Sequence, residues 1–147
     1  MSIWWSLQLR REAASVPLAR RLLLGAMEAA GVDAEISHEL SVALSEACSN
    51  AVRHAGERSG VYRVTASISG DVCRIEVTDS GPGFPAGGWL PPVSGPAREP
   101  ALGGRGLGLI EALSDRVRFG NQPGSGGAVI TFDKVLKWRE GALLRVS

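Results

Sequence analysis

Glu46-Ala-Cys-Ser-Asn50-Ala-Val-Arg-His54 is the stretch that decides how this chain is read. A carboxylate, an amide and an imidazole recur there every four residues, a spacing that lines them along one side of a helix. Leu40, Ala43, Leu44, Ala47 and Ala51 form the complementary apolar stripe through which that helix packs. Asp33 or Ser37 starts the helix, and Gly56 lies beyond its end as a stop. Taken alone, the segment reads as an amphipathic helix with a solvated polar face. Its chemistry depends on what surrounds it.

Upstream, Trp4 to Arg10 alternates, with Trp5, Leu7 and Leu9 on one side, and predicts an opening strand. Trp4 and Trp5 then face opposite ways, one toward the core and one toward solvent. Ser15-Val-Pro17 opens a first helix, with Ser15 as its cap and Pro17 in the first turn, and Gly31 ends it. After Gly60 the period changes to two. Residues 61–68 and 72–77 predict strands joined at Ser69-Gly70-Asp71, a hairpin turn. Residues 84–103 hold most of the prolines and have no periodicity, and so long a loop inside a compact domain is commonly functional. A short helix over 107–113 and strands over 117–119 and 128–135 complete the chain. Early helices followed by a mostly antiparallel meander predict an α+β fold. It would be a two-layer sandwich with helices on one face of a mostly antiparallel, mixed sheet.

The bulk numbers fit one domain over 1–147. The chain has 147 residues and a net charge of +1, which gives no reason to expect nucleic acid or an anionic membrane as partner. No apolar stretch is long enough to span a bilayer. Ile3-Trp4-Trp5 is preceded by no basic segment and followed soon by Arg10-Arg11-Glu12, so it does not read as a secretory signal. Cys48 and Cys73 lack metal-ligand spacing, and a reducing cytoplasm is the expected location.

Two further segments carry chemistry. Asp79-Ser-Gly81-Pro-Gly83 ends an apolar strand, where an aspartate can accept from an exocyclic amine while the glycines let a ring approach the backbone. A plain strand-to-loop turn explains the same residues about as well. Gly104-Arg105-Gly106-Leu107-Gly108-Leu109 opens into a helix whose free N–H groups can take phosphate. It is no Walker A loop, because no Gly-Lys-Ser/Thr follows, and no parallel βαβ unit surrounds it.

In this order the three segments resemble the N, G1 and G2 boxes of the gyrase–Hsp90–histidine kinase–MutL (GHKL, Bergerat-fold) ATPase superfamily, over about residues 37–132. The run Leu40-Ser-Val-Ala-Leu-Ser45-Glu46-Ala-Cys-Ser-Asn50-Ala-Val-Arg-His54-Ala is most similar to one branch, the anti-sigma factor serine/threonine kinases. The resemblance implies Glu46 as general base and Asn50 as the Mg²⁺ ligand. It implies Asp79 as adenine reader, with Gly81, Gly83, Gly104, Arg105, Gly106, Leu107, Gly108 and Leu109 along the nucleotide and Arg53 and His54 near ribose or phosphate. Residues 84–103 match the ATP lid. ATP or ADP with Mg²⁺ would be bound, a sigma factor sequestered, and an anti-anti-sigma (STAS-domain) protein phosphorylated. Arg20 on the first helix falls where the family grips its partners, and a homodimer is the family's habit. One departure is that Gly127-Ala128-Val129 stands where Gly-Thr is common, which bears on nucleotide affinity rather than on fold.

Ile36-Ser-His38-Glu39-Leu40 looks like the phosphoacceptor box of sensor histidine kinases, but it precedes Glu46 within one helix and lacks the Arg and Pro that follow in that family. An exposed His in a helix's first turns is the preferred reading. The alternative to a kinase is a nucleotide-gated binding module, which would have no use for a base one turn before the metal ligand.

Overall fold

The computed structural model describes residues 2–54, 60–79, 107–122 and 127–141, with residue 54 described in its backbone alone. Five strands, β1 (Ser2–Arg10), β2 (Val61–Ser69), β3 (Val72–Asp79), β4 (Arg116–Asn121) and β5 (Ala128–Val135), form one sheet in the order β1-β2-β3-β5-β4. All four pairings are antiparallel, so the mixed character expected of the sheet is not seen among the described residues. Helices α1 (Ser15–Ala30), α2 (Ala34–His54) and α3 (Leu107–Leu113) join one hydrophobic core with one face of that sheet. None of the described helices is long and apolar enough to cross a membrane.

The alternation of each strand decides which face is covered. Leu9, Tyr62, Val64, Ala66, Ile68, Cys73, Ile75, Val77, Ala128, Ile130 and Phe132 are buried toward the helices. The other face carries Trp4, Arg63, Arg74, Glu76 and Arg118. Trp4 is 69% exposed on the edge strand while Trp5 packs on the core, the split that strict alternation requires. Gly70, at φ +59°, opens the two-residue turn between β2 and β3, the sign pattern of a type II′ hairpin.

Helix α2 begins at Ala34 because the Asp33 carboxylate accepts from the Glu35 and Ile36 N–H groups, at 3.1 and 3.3 Å. Helix α1 differs from expectation at its start. Ala14 is the cap residue and Ser15 is already helical, its hydroxyl donating to the Glu12 carbonyl at 2.7 Å instead of accepting from the helix's own amides. Gly31 ends α1 in the left-handed region at φ 92°, where a residue without Cβ fits. Residues 136–139 then strap the turn between the helices to the β2–β3 hairpin. The Arg139 N–H donates to the Gly31 carbonyl, the Asp33 N–H to the Lys137 carbonyl, and the Trp138 indole N–H to the Asp71 carboxylate at 2.8 Å.

Candidate functional site

Asn50 is not on a solvated face. Its side chain is 2% exposed, and its amide oxygen has no hydrogen-bond partner among the described residues. Glu46, one turn earlier, is half-buried, and Arg53 is exposed at the end of α2. The ordinary reading of the helix as a wet polar surface therefore fails at the residue that matters most. A buried carbonyl oxygen without a donor is rare because it forfeits its hydration, and it is the kind of atom a cation takes up.

Asp79 ends β3 with its side chain on the helix-covered face, 6% exposed. One of its carboxylate oxygens accepts from the Ala128 N–H at 3.2 Å, and its backbone carbonyl accepts from the Gln122 amide at 3.0 Å. The Ala128 contact orients the carboxylate and the Gln122 contact holds the backbone that carries it, and neither residue was singled out in advance as a support. Ala128 is also the residue that stands where a Gly-Thr threonine is common. Thr131 cannot supply the missing hydroxyl, because it points to the opposite face and sits 3.3 Å from Glu76. It is a ladder residue, paired with Glu76 and Arg118 on the neighbouring strands.

A buried polar chain ties α2 to the end of the sheet that holds Asp79. Cys48, on the turn of α2 between Glu46 and Asn50, is hydrogen-bonded to Tyr62. Tyr62 is the register partner of Asp79 on the neighbouring strand. The Tyr62 hydroxyl also lies 2.6 Å from that of Ser15, and with Ser15 donating to the Glu12 carbonyl, Tyr62 donates to Ser15. Burial pushes the Cys48 thiol up to about 12 and raises the Tyr62 phenol as well, so both stay neutral donors. This polar chain puts Asn50 and Asp79 at the same end of the molecule.

Leu107 and Ile110 of α3 are fully buried, and α3 packs mainly on α2. A Cβ built on Gly108 meets no protein atom within 4 Å, so the backbone there is open to a neighbour, and Leu109 is 41% exposed. Gly81, Gly83, Gly104, Arg105, Gly106, the His54 side chain and the proposed lid at 84–103 lie outside the described residues. Arg20 is exposed on α1, and His38 is exposed in the second turn of α2.

A separate cavity of about 550 Å³ opens on the uncovered face of the sheet, between Glu76, Thr78, Arg118 and Thr131. Thr78 and Asp79 are adjacent and point to opposite faces, which puts that cavity behind the candidate site.

Residues 9–134 match the model of the histidine kinase-like ATPase domain. The chain belongs to that family. Within it, the chain is 36% identical over 122 residues to the serine-protein kinase RsbW of Listeria innocua, covering 78% of this chain and 77% of that protein. The RsbW of Oceanobacillus iheyensis is also 36% identical, over 118 residues, covering 74% of this chain and 73% of its own. Among solved structures, the RsbU and RsbW domains of Rv1364c from Mycobacterium tuberculosis superpose with a TM-score of 0.69 at 21% identity, over 93% of this chain and 33% of that one. That likeness shows the histidine kinase-like fold, and the curated relatives place the chain with the serine-protein kinases.

Proposed function

We propose that this protein is an ATP-dependent serine/threonine kinase that also acts as an anti-sigma factor. The observation that carries the nucleotide reading is the orphaned Asn50 amide oxygen, one helical turn from Glu46 and at the same end of the sheet as the buried Asp79. Asn50 would hold Mg²⁺, which when bound neutralises phosphate charge and orients the transferred group. Asp79, with its carboxylate fixed by the Ala128 N–H, would accept from the exocyclic amine of adenine. The backbone at Leu107, Gly108 and Leu109, with Gly81, Gly83, Gly104, Arg105 and Gly106, would line base and phosphates, and Arg53 and His54 would reach ribose or phosphate. Glu46, half-buried beside that position, would take the proton of the acceptor hydroxyl.

The partner assignments rest on the likeness to RsbW proteins. The substrate would be a small anti-anti-sigma protein of STAS type, and the sequestered partner a sigma factor, in a cytoplasmic homodimer of 1–147 domains. Arg20 fits a partner contact because α1 presents it beside the exposed Leu18 and Leu22.

Glu46→Ala tests the kinase against the alternative of a nucleotide-gated binder. The variant should fold and bind Mg-ATP, because Asn50 and Asp79 are untouched, while phosphotransfer to the anti-anti-sigma protein falls by roughly 10²–10⁴. Transfer at the parental rate would remove Glu46 from the chemistry. A parent that binds its partner only with nucleotide, yet never phosphorylates it, would establish the binding module instead.

A further inference from the structure

We propose that Lys134 is a positioning residue for nucleotide binding, acting through α3; this rests on the reading that the backbone at Leu107 and Gly108, where α3 begins, contacts the phosphates. On the helix-covered face of the described strands, two charged side chains interrupt a largely apolar alternation. One is Asp79, already assigned. The other is Lys134, the register partner of the buried Cys73, and its side chain is 13% exposed.

Lys134 joins three elements at one point. Its ammonium donates to the carbonyl of Leu113, the last residue of α3, at 2.8 Å. It also pairs with the Glu39 carboxylate of α2 at 3.1 Å. The three anchors belong to β5, α2 and α3.

Helix α3 needs such an anchor. At seven residues it is far shorter than a helix that persists by its own propensity. Leu107 and Ile110 fix its buried side, but apolar contacts alone allow a short helix to slide or turn. A cation on its last carbonyl satisfies a C-terminal group that has no partner within the helix and opposes the negative end of its dipole. Because the same cation is held by Glu39, the far end of α3 is fixed relative to α2, the helix that carries Glu46 and Asn50. The near end, at Leu107 and Gly108, is then fixed with it, and so is the distance between the phosphate-binding backbone and the metal ligand.

The test is Lys134→Met in the full chain, which keeps the aliphatic stem and removes the ammonium. Without nucleotide, amide exchange over residues 107–113 should speed by about tenfold or more, the scale of a lost charged hydrogen bond, with the β2–β3 hairpin unchanged. The dissociation constant for ATP should rise about tenfold while that for adenosine, which has no phosphates, stays put. Lys134→Arg, which reaches the same two acceptors, should restore both. Unchanged α3 exchange overturns the proposal. So does equal weakening of ATP and adenosine, the mark of a generally loosened fold, and so does Lys134→Arg behaving like Lys134→Met. If Lys134→Met does not fold, Glu39→Gln takes its place: it keeps an acceptor and removes the counter-charge, and should weaken ATP alone, by less. No change there also overturns the proposal. A parent that binds no ATP fails the functional reading, a result distinct from the nucleotide-free exchange of α3.

Discussion

Burying an amide oxygen without a hydrogen bond costs on the order of 1–3 kcal/mol, and α2 does this at Asn50. Asn50→Ala removes the unpaired atom and substitutes the best helix former. The free protein should therefore melt no lower than the parent, and up to several degrees higher. Calorimetry should show Mg-ATP affinity lost in the same variant. A stabilised protein with unchanged nucleotide binding would mean that the orphaned oxygen serves some other purpose. Asp79 behaves in the opposite sense, because its carboxylate already accepts from the Ala128 N–H. In Asp79→Asn one acceptor becomes a donor. Discrimination between ATP and GTP should collapse, and parallel titrations that match the parent for both would remove Asp79 as base reader.

At the scale of elements, caps and registers carry the argument. Asp33→Ala strips two amide contacts from the start of α2 and should lower stability by about 1 kcal/mol, read from urea denaturation. The elements themselves were legible in the sequence. Period-two alternation gave β1, β2 and β3 their buried faces, Gly31 and Gly70 marked their turns, and the residues expected for α3 are those observed. Two things were not legible. Ser15 has the composition of a cap, but its hydroxyl is drawn to the Glu12 carbonyl and to Tyr62, a residue remote in sequence, and no local rule foresees that. Asn50 likewise reads as polar and therefore wet, since helical spacing says which residues share a side but not whether that side is buried. Lys134 did leave a signal: a lysine on the inward register of an apolar alternation.

Across the whole molecule, both cysteines are buried, and desolvation pushes each thiol up to about 12 from 9.0. A raised folded-state value means that the native protein holds these protons more tightly than the unfolded chain does. The resulting stabilisation is complete below pH 9.0 and is lost as pH climbs toward about 12. Native protein at pH 8 should resist iodoacetamide at both positions and react fully once unfolded, as mass spectrometry would show. Stability should fall with alkali, and Cys48→Ala should flatten part of that fall. Rapid native labelling at Cys48 would mean that the contact between α2 and the sheet opens readily. The Arg74–Asp133 pair acts at the acid end. The guanidinium holds the Asp133 carboxyl below its ordinary 3.8, so its contribution is present above that pH and fades below it. Arg74 is half exposed, and the effect should be under about 1 kcal/mol.

The strap of residues 136–139 has a consequence for handling the protein. It ends against the β2–β3 turn, and β3 runs from that turn to Asp79, about 23 Å away at the usual rise per strand residue. Anything grafted after residue 141, whether a fluorophore, a fusion or a surface tether, starts its path beside the turn between α1 and α2. A molecule immobilised there would present its Asp79 end to solution. Cargo attached at that point would report on events at the base of the two helices while leaving the opposite end unobstructed.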